Sequence, residues 1–394
     1  MKMEVDFRMA IGEVEANYAN NSRLQRKALL KTKPVLDKAV RQVCTALLPR
    51  AMVVADLGCS VGANTLLFIS EVISMLGCHP MELQFFLNDL PGNDFNQVFR
   101  SLQQFTKSIA AGHPKGTTLP PFYISGLPGS FYTRLFPCQS VHLFHSSYCL
   151  HWQSQLFRKM SMPDKILLSD FPIWNNVQLF ILAQMIKDMN KKMAYLNGEN
   201  VYIAKSTPQS VVELYQDQFQ KDMSLFLKLR HQELVPGGKM LLTFLGRKKE
   251  DVLDGDLSHL FGLLAQALQS LVTEGLVEKG KLESFNIPMY GPSIDEVKTV
   301  ITRNKLFCID HFELFESNWD PYDDLEHDGM HTNPHRGMNV AKSIRAVFEP
   351  LLASHFGEYI LDKLFQRYAQ IVERHLAKEN TKYSVIILSL NQRD

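Results

Sequence analysis

Residues 52–64 read Met-Val-Val-Ala-Asp-Leu-Gly-Cys-Ser-Val-Gly-Ala-Asn, and this stretch decides the fold. Its apolar first half, residues 52–57, predicts a short buried strand of a parallel sheet. Gly58 and Gly62 then allow the backbone of a turn to approach a ligand closely. A strand, a glycine turn and a following helix are typical of the ligand-binding edge of an open α/β sheet.

Further apolar runs on both sides of this stretch predict the rest of the sheet. They lie at residues 83–88, 122–125, 141–145, 239–245, 306–312 and 384–390. Helical patterns occupy residues 21–48, 257–276 and 341–378, with Pro350 starting or kinking a segment of the last one. Alternating strands and helices predict an α/β doubly wound sheet. The late helices are too long for simple crossovers, so we interpret them as a helical cap over the ligand edge.

Charge and cysteine content exclude several classes of function. The 394 residues carry 42 Lys and Arg against 41 Asp and Glu, so no strong field favours nucleic acid or an anionic membrane. The six cysteines are scattered without a C-x-x-C pair, which indicates reduced thiols. The most apolar stretch, residues 166–185, is interrupted by polar residues and proline, so no membrane span is predicted. We therefore expect a cytoplasmic protein without nucleic-acid or membrane partners.

The turn at Gly58 predicts a nucleotide-like site. Its G-x-x-x-G spacing differs from the G-x-G-x-x-G that a dinucleotide pyrophosphate prefers, which disfavours a dinucleotide-dependent oxidoreductase. Asp89, at the end of the next strand, is placed to accept hydrogen bonds from ribose hydroxyls. Asp56 is expected near the position of a ligand's amino group. Together these residues favour an adenosyl ligand without a pyrophosphate, S-adenosylmethionine.

Several longer strings are similar to those of a known family. They include Tyr18-Ala-Asn-Asn-Ser22, Ala55-Asp-Leu-Gly-Cys59, Phe86-Leu-Asn-Asp-Leu-Pro-Gly-Asn-Asp-Phe95, His145-Ser-Ser-Tyr148 and Gly291-Pro-Ser293. The sequence resembles the plant SABATH carboxyl methyltransferases, and residues 319–325 look most like the grass enzymes acting on anthranilate, benzoate or salicylate. The resemblance implies a class I methyltransferase fold, Rossmann-like, with a seven-stranded sheet and a helical cap. It also implies a homodimer that forms the methyl ester of a small aromatic carboxylic acid.

The same resemblance assigns roles to individual residues. The cofactor-binding set joins Asp56 and Gly58 of the turn with Tyr18, Ser22, Cys59, Asn64, Asp89, Leu90, Ser130 and Phe131. The predicted catalytic residues are Gln25 and Trp152, whose neutral N–H groups would hold the substrate carboxylate. Tyr148 and His151 are expected to line the acid pocket, and Phe261 stands where some relatives have a larger tryptophan. Without the resemblance, His145 and His151 fit satisfied core histidines better than ligands.

Acid–base catalysis is not required for such a reaction. A benzoate-type carboxylate is ionised at neutral pH, so orientation and the exclusion of water can provide the rate enhancement. Consistent with this, the sequence has no G-x-S-x-G motif.

Some family members have an oxygen-ligand ion site. By resemblance it maps to Asn197, Glu283, the carbonyl of Phe285 and Asn286, and these ligand types suit a hard cation such as Mg²⁺. A hydrogen-bonded helix end is an equally good interpretation of the same four residues.

The predicted organisation is a single methyltransferase domain over residues 1–394. Its Rossmann-like core spans about residues 50–250 and 300–394, with cap elements at about 250–300 and 315–380. Residues 156–187 are an atypical insertion beside the predicted acid pocket, since relatives have a much shorter connection there. The alternative is therefore an inactive homologue that keeps the fold but has its acid pocket disrupted.

Overall fold

The computed structural model describes residues 9, 18–76, 81–112, 119–154, 196–323 and 335–393. The predicted insertion at 156–187 lies outside these described residues, so its effect on the acid pocket stays a prediction. Within the described ranges, no helix combines the length and the apolar character that crossing a membrane requires.

Seven strands and ten α-helices make up the described chain. The strands are β1 (Ala51–Leu57), β2 (Glu82–Asp89), β3 (Phe122–Pro128), β4 (Val141–Ser147), β5 (Leu234–Gly246), β6 (Phe307–Asn318) and β7 (Lys382–Gln392). The helices are α1 (Tyr18–Asn21), α2 (Arg23–Leu47), α3 (Ala63–Leu76), α4 (Phe95–Gly112), α5 (Gln209–Glu233), α6 (Asp256–Thr273), α7 (Lys279–Glu283), α8 (Ile294–Asn304), α9 (Arg336–Phe356) and α10 (Leu361–Leu376). All seven predicted strands are present.

The strands form one sheet in the order β3-β2-β1-β4-β5-β7-β6. Strands β1 to β5 are parallel, and β7 is antiparallel to both β5 and β6. The chain returns to the sheet centre at β4, so the strand order reverses between β1 and β4. Ligands of open α/β sheets bind at such a switch point. The α/β doubly wound sheet predicted from the sequence is confirmed, with seven strands.

Apolar residues cover both faces of the sheet. On one face, α2 and α3 pack with buried side chains such as Val40, Val43 and Phe68. On the other face, α5 contributes Tyr215 and Phe226 to the larger core, which also holds α6, α9 and α10. With both faces covered, the carboxyl edge of the parallel strands is left for a site.

Three of the late helices pack against one another on the larger core. Helix α10 contacts both α9 and α6. The helical pattern predicted over 341–378 is two helices rather than one, separated by a short 3₁₀ turn at Glu358–Ile360. Pro350 lies inside α9 and does not start a helix. Whether these helices form a distinct cap stays a prediction.

Candidate functional site

The turn after β1 approaches its neighbours so closely that only glycine fits. Gly58 has φ +80°, a conformation that L side chains rarely adopt. A Cβ added there would lie 2.1 Å from the Cys149 Sγ atom. The amides of Gly58 and Cys59 donate to the Asn88 carbonyl at 2.8 and 2.9 Å. The turn is thereby fixed to the end of β2.

Asp89, the last residue of β2, is held by the same turn. Its two carboxylate oxygens accept backbone N–H bonds from Ser60 and Leu90, both at 2.7 Å. Burial raises the pKa of Asp89 to about 6, the nearby Asp56 adds to the shift, and the two N–H bonds oppose it. Each oxygen keeps a lone pair, so the ionised carboxylate can accept further bonds from a ligand.

Three adjoining cavities lie at this edge of the sheet. The loop cavity has a volume of about 840 Å³. Its lining consists of Met9, Tyr18, Gly58, Ser60, Asp89, Leu90, Asn93, Ser130, Phe131, Tyr132, Ser147, Tyr148, Cys149, Trp152, Gln153 and Ser154. The polar groups of the Gly58 turn and Asp89 therefore face the same space as the ring of Phe131. A flat ring beside a hydrogen-bonding carboxylate suits a nucleoside.

The apolar cavity has a volume of about 600 Å³ and shares Tyr18, Tyr148 and Trp152 with the loop cavity. Its lining consists of Met9, Tyr18, Leu24, Gln25, Tyr148, His151, Trp152, Leu245, Leu257, Leu260, Phe261, Met289, Ser343, Ile344, Val347, Phe348 and Tyr383. Among these described residues there is no Asp, Glu, Lys or Arg. A mostly apolar cavity with a few hydrogen-bonding groups suits a small organic ligand.

His151 is a polar group of the apolar cavity whose hydrogen position is fixed by a backbone amide. His151 Nδ1 accepts the Leu245 amide at 3.1 Å, so the hydrogen of the neutral imidazole is on Nε2. Burial lowers the pKa of His151 to about 3, so the ring is neutral at physiological pH. His151 is therefore a hydrogen-bond donor without a charge.

Two more polar atoms of this cavity have no hydrogen-bond partner within the described part of the chain. They are Gln25 Oε1 and the Tyr148 hydroxyl, and both are buried. Tyr148 also has φ +60°, which is costly for a residue with a side chain. Unpaired buried polar atoms and a strained backbone are more common at ligand sites than in a plain core.

The inner cavity, of about 370 Å³, lies on the other side of Tyr18 and Gly58. Its lining consists of Tyr18, Gln25, Leu29, Asp56, Gly58, Cys59, Asn64, Thr65, His145 and Ser147. Both oxygens of Asp56 already have protein partners, His145 Nδ1 at 2.7 Å and the Thr65 hydroxyl at 2.5 Å. The sequence predicted that Asp56 lies near a ligand's amino group. In the structure its carboxylate is hydrogen-bonded to the imidazole of His145.

The structure brings together nearly all the residues predicted for the site. The loop and inner cavities contain Tyr18, Asp56, Gly58, Cys59, Asn64, Asp89, Leu90, Ser130 and Phe131, and the apolar cavity contains Gln25, Tyr148, His151, Trp152 and Phe261. Ser22 lines none of the three cavities, but its hydroxyl accepts from Asn64 Nδ2 at 3.1 Å. Ser22 therefore orients a lining residue.

Sequence reasoning missed one wall of the apolar cavity. Helix α9 provides Ile344, Val347 and Phe348, and the Phe348 ring lies 5.3 Å from those of both Trp152 and Phe261. The helical spacing of these apolar residues was visible in the sequence. That spacing shows that a helix has a buried face, but it does not show which cavity the face covers.

The residues predicted for a metal site lie apart from the three cavities. Asn197 Nδ2 donates to Asn286 Oδ1 at 2.9 Å, and the Thr207 hydroxyl donates to Asn197 Oδ1 at 2.8 Å. The Glu283 carboxylate pairs with Lys279 at 3.7 Å. Within the described ranges no group of three His, Cys, Asp or Glu residues could hold a metal ion. These contacts match the hydrogen-bonded interpretation of the four residues, and the Mg²⁺ site stays a prediction.

Comparison with known proteins gives consistent results over the whole chain. The sequence pattern of a family described as "SAM dependent carboxyl methyltransferase" matches residues 4–393. "Anthranilate O-methyltransferase 3" of Zea mays is 51% identical, with 100% of this chain and 98% of that protein covered. "Benzoate O-methyltransferase" of Zea mays is 49% identical, with 100% of both covered.

A solved structure confirms the class I methyltransferase fold predicted from the sequence. "Loganic acid methyltransferase with SAH" superposes with a TM-score of 0.76 at 29% sequence identity. It covers 98% of this chain and 99% of its own.

Proposed function

Because this chain belongs to the SAM-dependent carboxyl methyltransferase family, we propose that it converts a small aromatic acid to its methyl ester. The acceptor class is anthranilate, benzoate or salicylate, and the names of the two relatives from Zea mays include the first two of these acids. The observation that supports this choice best is the apolar cavity, whose described lining is uncharged and adjoins the Gly58 turn. An inactive homologue is not favoured by these similarities.

The loop and inner cavities are proposed to hold S-adenosylmethionine. Gly58 provides the close backbone approach, and Asp89 has oxygens free to accept from two ribose hydroxyls. The ring of Phe131 lines the same cavity and can cover the adenine. Cys59, Asn64 and Tyr18 line the inner cavity, where the methionyl end would lie. When bound, the cofactor supplies a methyl group on a positively charged sulfur.

The apolar cavity is proposed to hold the acid in one orientation. The amide of Gln25, the indole N–H of Trp152 and the Nε2–H of His151 are donors for the carboxylate, while Phe261 and Phe348 face the ring. None of these groups is charged, so the carboxylate keeps its full attraction for a cation nearby. Exclusion of water strengthens that attraction, because a low-dielectric site screens charge less than bulk water does. The residues thus align the carboxylate and need not remove a proton from it.

Turnover with a panel of acids tests the proposal. The purified protein is incubated with labelled methyl donor and anthranilate, benzoate or salicylate, and the methyl esters are quantified. We expect ester formation from at least one of the three. Binding of S-adenosylhomocysteine without turnover of any aromatic acid would contradict the proposal and support the inactive homologue.

Cofactor affinity is expected to fall on acidification through the titration of Asp89. Its pKa is raised to about 6, so below that pH the carboxyl group gains a proton and one oxygen becomes a donor. Ribose hydroxyls that donate to the ionised form then lose an acceptor. Calorimetry with S-adenosylhomocysteine should show constant affinity above about pH 7 and a decline of up to about tenfold per pH unit below about pH 6.

Asp89→Asn is the control for this titration. The amide cannot ionise in this range, so we expect weaker binding that does not change between about pH 8 and about pH 5. An Asp89→Asn protein with the same pH dependence as the unmodified one would show that another group titrates.

Three other features remain proposals. We propose that the whole chain acts as a single domain whose helices α6, α9 and α10 cap the acid, since α6 and α9 line the apolar cavity. A homodimer and a cytoplasmic location are also proposed, on the family resemblance and the scattered cysteines. Light scattering of the purified chain would test the dimer.

A further inference from the structure

His145 and Asp56 form a buried hydrogen-bonded pair near the Gly58 turn. They are register partners on β4 and β1, and His145 Nδ1 lies 2.7 Å from Asp56 Oδ1. The Thr65 hydroxyl donates to the other oxygen of Asp56 at 2.5 Å. The ring of Phe68 stacks on the imidazole with a centroid distance of 3.9 Å and an angle of 11°. The stacking contact therefore fixes the plane of the imidazole, and the hydrogen bond to Asp56 fixes the direction in which Nδ1 points.

This arrangement determines which nitrogen of His145 accepts a hydrogen bond. An ionised carboxylate only accepts, so the hydrogen of the neutral ring is on Nδ1, facing Asp56. Nε2 then presents its lone pair. His145 is 2% exposed, and Nε2 is buried without a hydrogen-bond partner in the described part of the structure. A buried acceptor left without a partner indicates that a ligand or water completes it.

The inner cavity that His145 lines is suited to a cation. Among its ten described lining residues, the only carboxylate is that of Asp56, and there is no Lys or Arg. The cavity adjoins the loop cavity through Tyr18 and Gly58. A positively charged N–H donor in this cavity would face the lone pair of His145 Nε2, and the negative charge of Asp56 lies on the far side of the same ring. Hydrogen bonds with a charged partner are about twice as strong as neutral ones.

We propose that His145 Nε2 accepts a hydrogen bond from the α-ammonium group of the cofactor's methionyl end, with Asp56 holding the ring in the accepting tautomer. The inference rests on the proposed function, because it needs S-adenosylmethionine in the loop and inner cavities. It assigns to His145 the contact that the sequence suggested for Asp56. The carboxylate then acts on the ligand through the imidazole.

The variant His145→Asn tests this contact. Asparagine can keep a donor near the position of Nδ1, facing Asp56, but has no atom at the position of Nε2. Two ligands are titrated by calorimetry: S-adenosylhomocysteine, and 5′-methylthioadenosine, which keeps the nucleoside and sulfur but lacks the amino acid chain. We expect His145→Asn to lower the affinity for S-adenosylhomocysteine by about 10- to 100-fold and to leave the affinity for 5′-methylthioadenosine nearly unchanged.

A third ligand separates the ammonium group from the carboxylate of the methionyl end. Decarboxylated S-adenosylmethionine retains the amine alone, so His145→Asn should weaken it as strongly as it weakens S-adenosylhomocysteine. An unchanged affinity for the decarboxylated ligand would overturn the inference.

His142→Asn is the matched control for the variant. His142 lies on the same strand, is half-buried, accepts the Val53 amide at 3.1 Å and lines none of the three cavities. We expect its substitution to leave all three affinities unchanged. An equal loss for S-adenosylhomocysteine and 5′-methylthioadenosine in His145→Asn would show a general disturbance and overturn the inference.

Asp56→Asn provides a second variant in case His145→Asn does not fold. It preserves the buried volume but removes the negative charge behind the imidazole. The same selective loss of S-adenosylhomocysteine is expected, and unchanged affinities would overturn the inference. If the unmodified protein bound neither nucleoside, the proposed function would fail, and the inference with it.

Discussion

Removing the two proposed carboxylate donors together, as Gln25→Leu with Trp152→Phe, is expected to lower kcat/KM for the acid by about 10²- to 10⁴-fold. A hydrogen bond to a charged group contributes about 1.5–3 kcal/mol, which corresponds to about 10- to 100-fold for each donor. Each replacement places an apolar side chain of broadly similar shape beside the apolar cavity and removes the N–H donor. Steady-state kinetics of the single and double variants measure the loss and show whether the two donors act independently.

Two matched controls test whether the loss is specific to the cavity. Gln42 lies on the same helix as Gln25, is half-buried, and its Oε1 likewise has no partner within the described residues, yet it lines none of the cavities. Trp319 is fully buried against His375. Gln42→Leu and Trp319→Phe should keep kcat/KM within about threefold. An equal loss in the controls would contradict the assignment, as would full activity of the double variant.

Gly58→Ala is expected to destabilise the protein by about 2–6 kcal/mol and to abolish cofactor binding. A side chain at φ +80° costs about 1–3 kcal/mol, and forcing an extra methyl group into a packed site costs a further 1–3 kcal/mol or so. The added Cβ would meet the Cys149 Sγ atom at 2.1 Å, so the Cys149 side chain, the turn or the segment after β4 must move. Denaturant unfolding and calorimetry with S-adenosylhomocysteine measure the two effects.

A second glycine separates backbone strain from the steric clash. Gly275 has φ +72°, but a Cβ added there meets nothing within 4 Å. Gly275→Ala should therefore lose only the backbone contribution, about 1–3 kcal/mol, and keep its affinity for S-adenosylhomocysteine. Adding Cys149→Ala to Gly58→Ala removes the Sγ atom and should restore part of the lost stability. Equal destabilisation by Gly58→Ala and Gly275→Ala would contradict the prediction, because the clash with Cys149 would then add nothing to the free-energy loss.

Local sequence patterns were sufficient to predict the sheet and its binding edge. The apolar run before Gly58 specifies a buried strand, and the glycine specifies a turn that a side chain would block. Asp89 could be predicted as a ligand residue, because the end of the next parallel strand must lie at the same edge. These features depend on short-range geometry. The helical pattern over 341–378 was predicted correctly in type, but its division into two helices was not.

The partners of buried polar groups could not be read from the sequence. Asp56 and His145 are 89 residues apart, and only the register of β1 against β4 places them opposite each other. His151 likewise has its tautomer fixed by the amide of Leu245, 94 positions away. Sequence alone favoured a satisfied core histidine for both. In each ring, Nδ1 has a hydrogen-bond partner in the protein, as expected for a core histidine. Each ring also borders a cavity, which was not expected.

The sequence by itself determined the class of fold, the glycine turn, the acid at the end of β2 and the family. Each of these follows from residues that are adjacent in the chain or placed by the alternation of strand and helix. The tertiary structure decided the shape of the apolar cavity, in which Phe348 of one helix meets both Trp152 and Phe261 of another helix. It also decided that the Asp56 carboxylate is hydrogen-bonded to the His145 imidazole. Packing between distant segments sets both outcomes, because side-chain contacts depend on register and helix placement that no local pattern specifies.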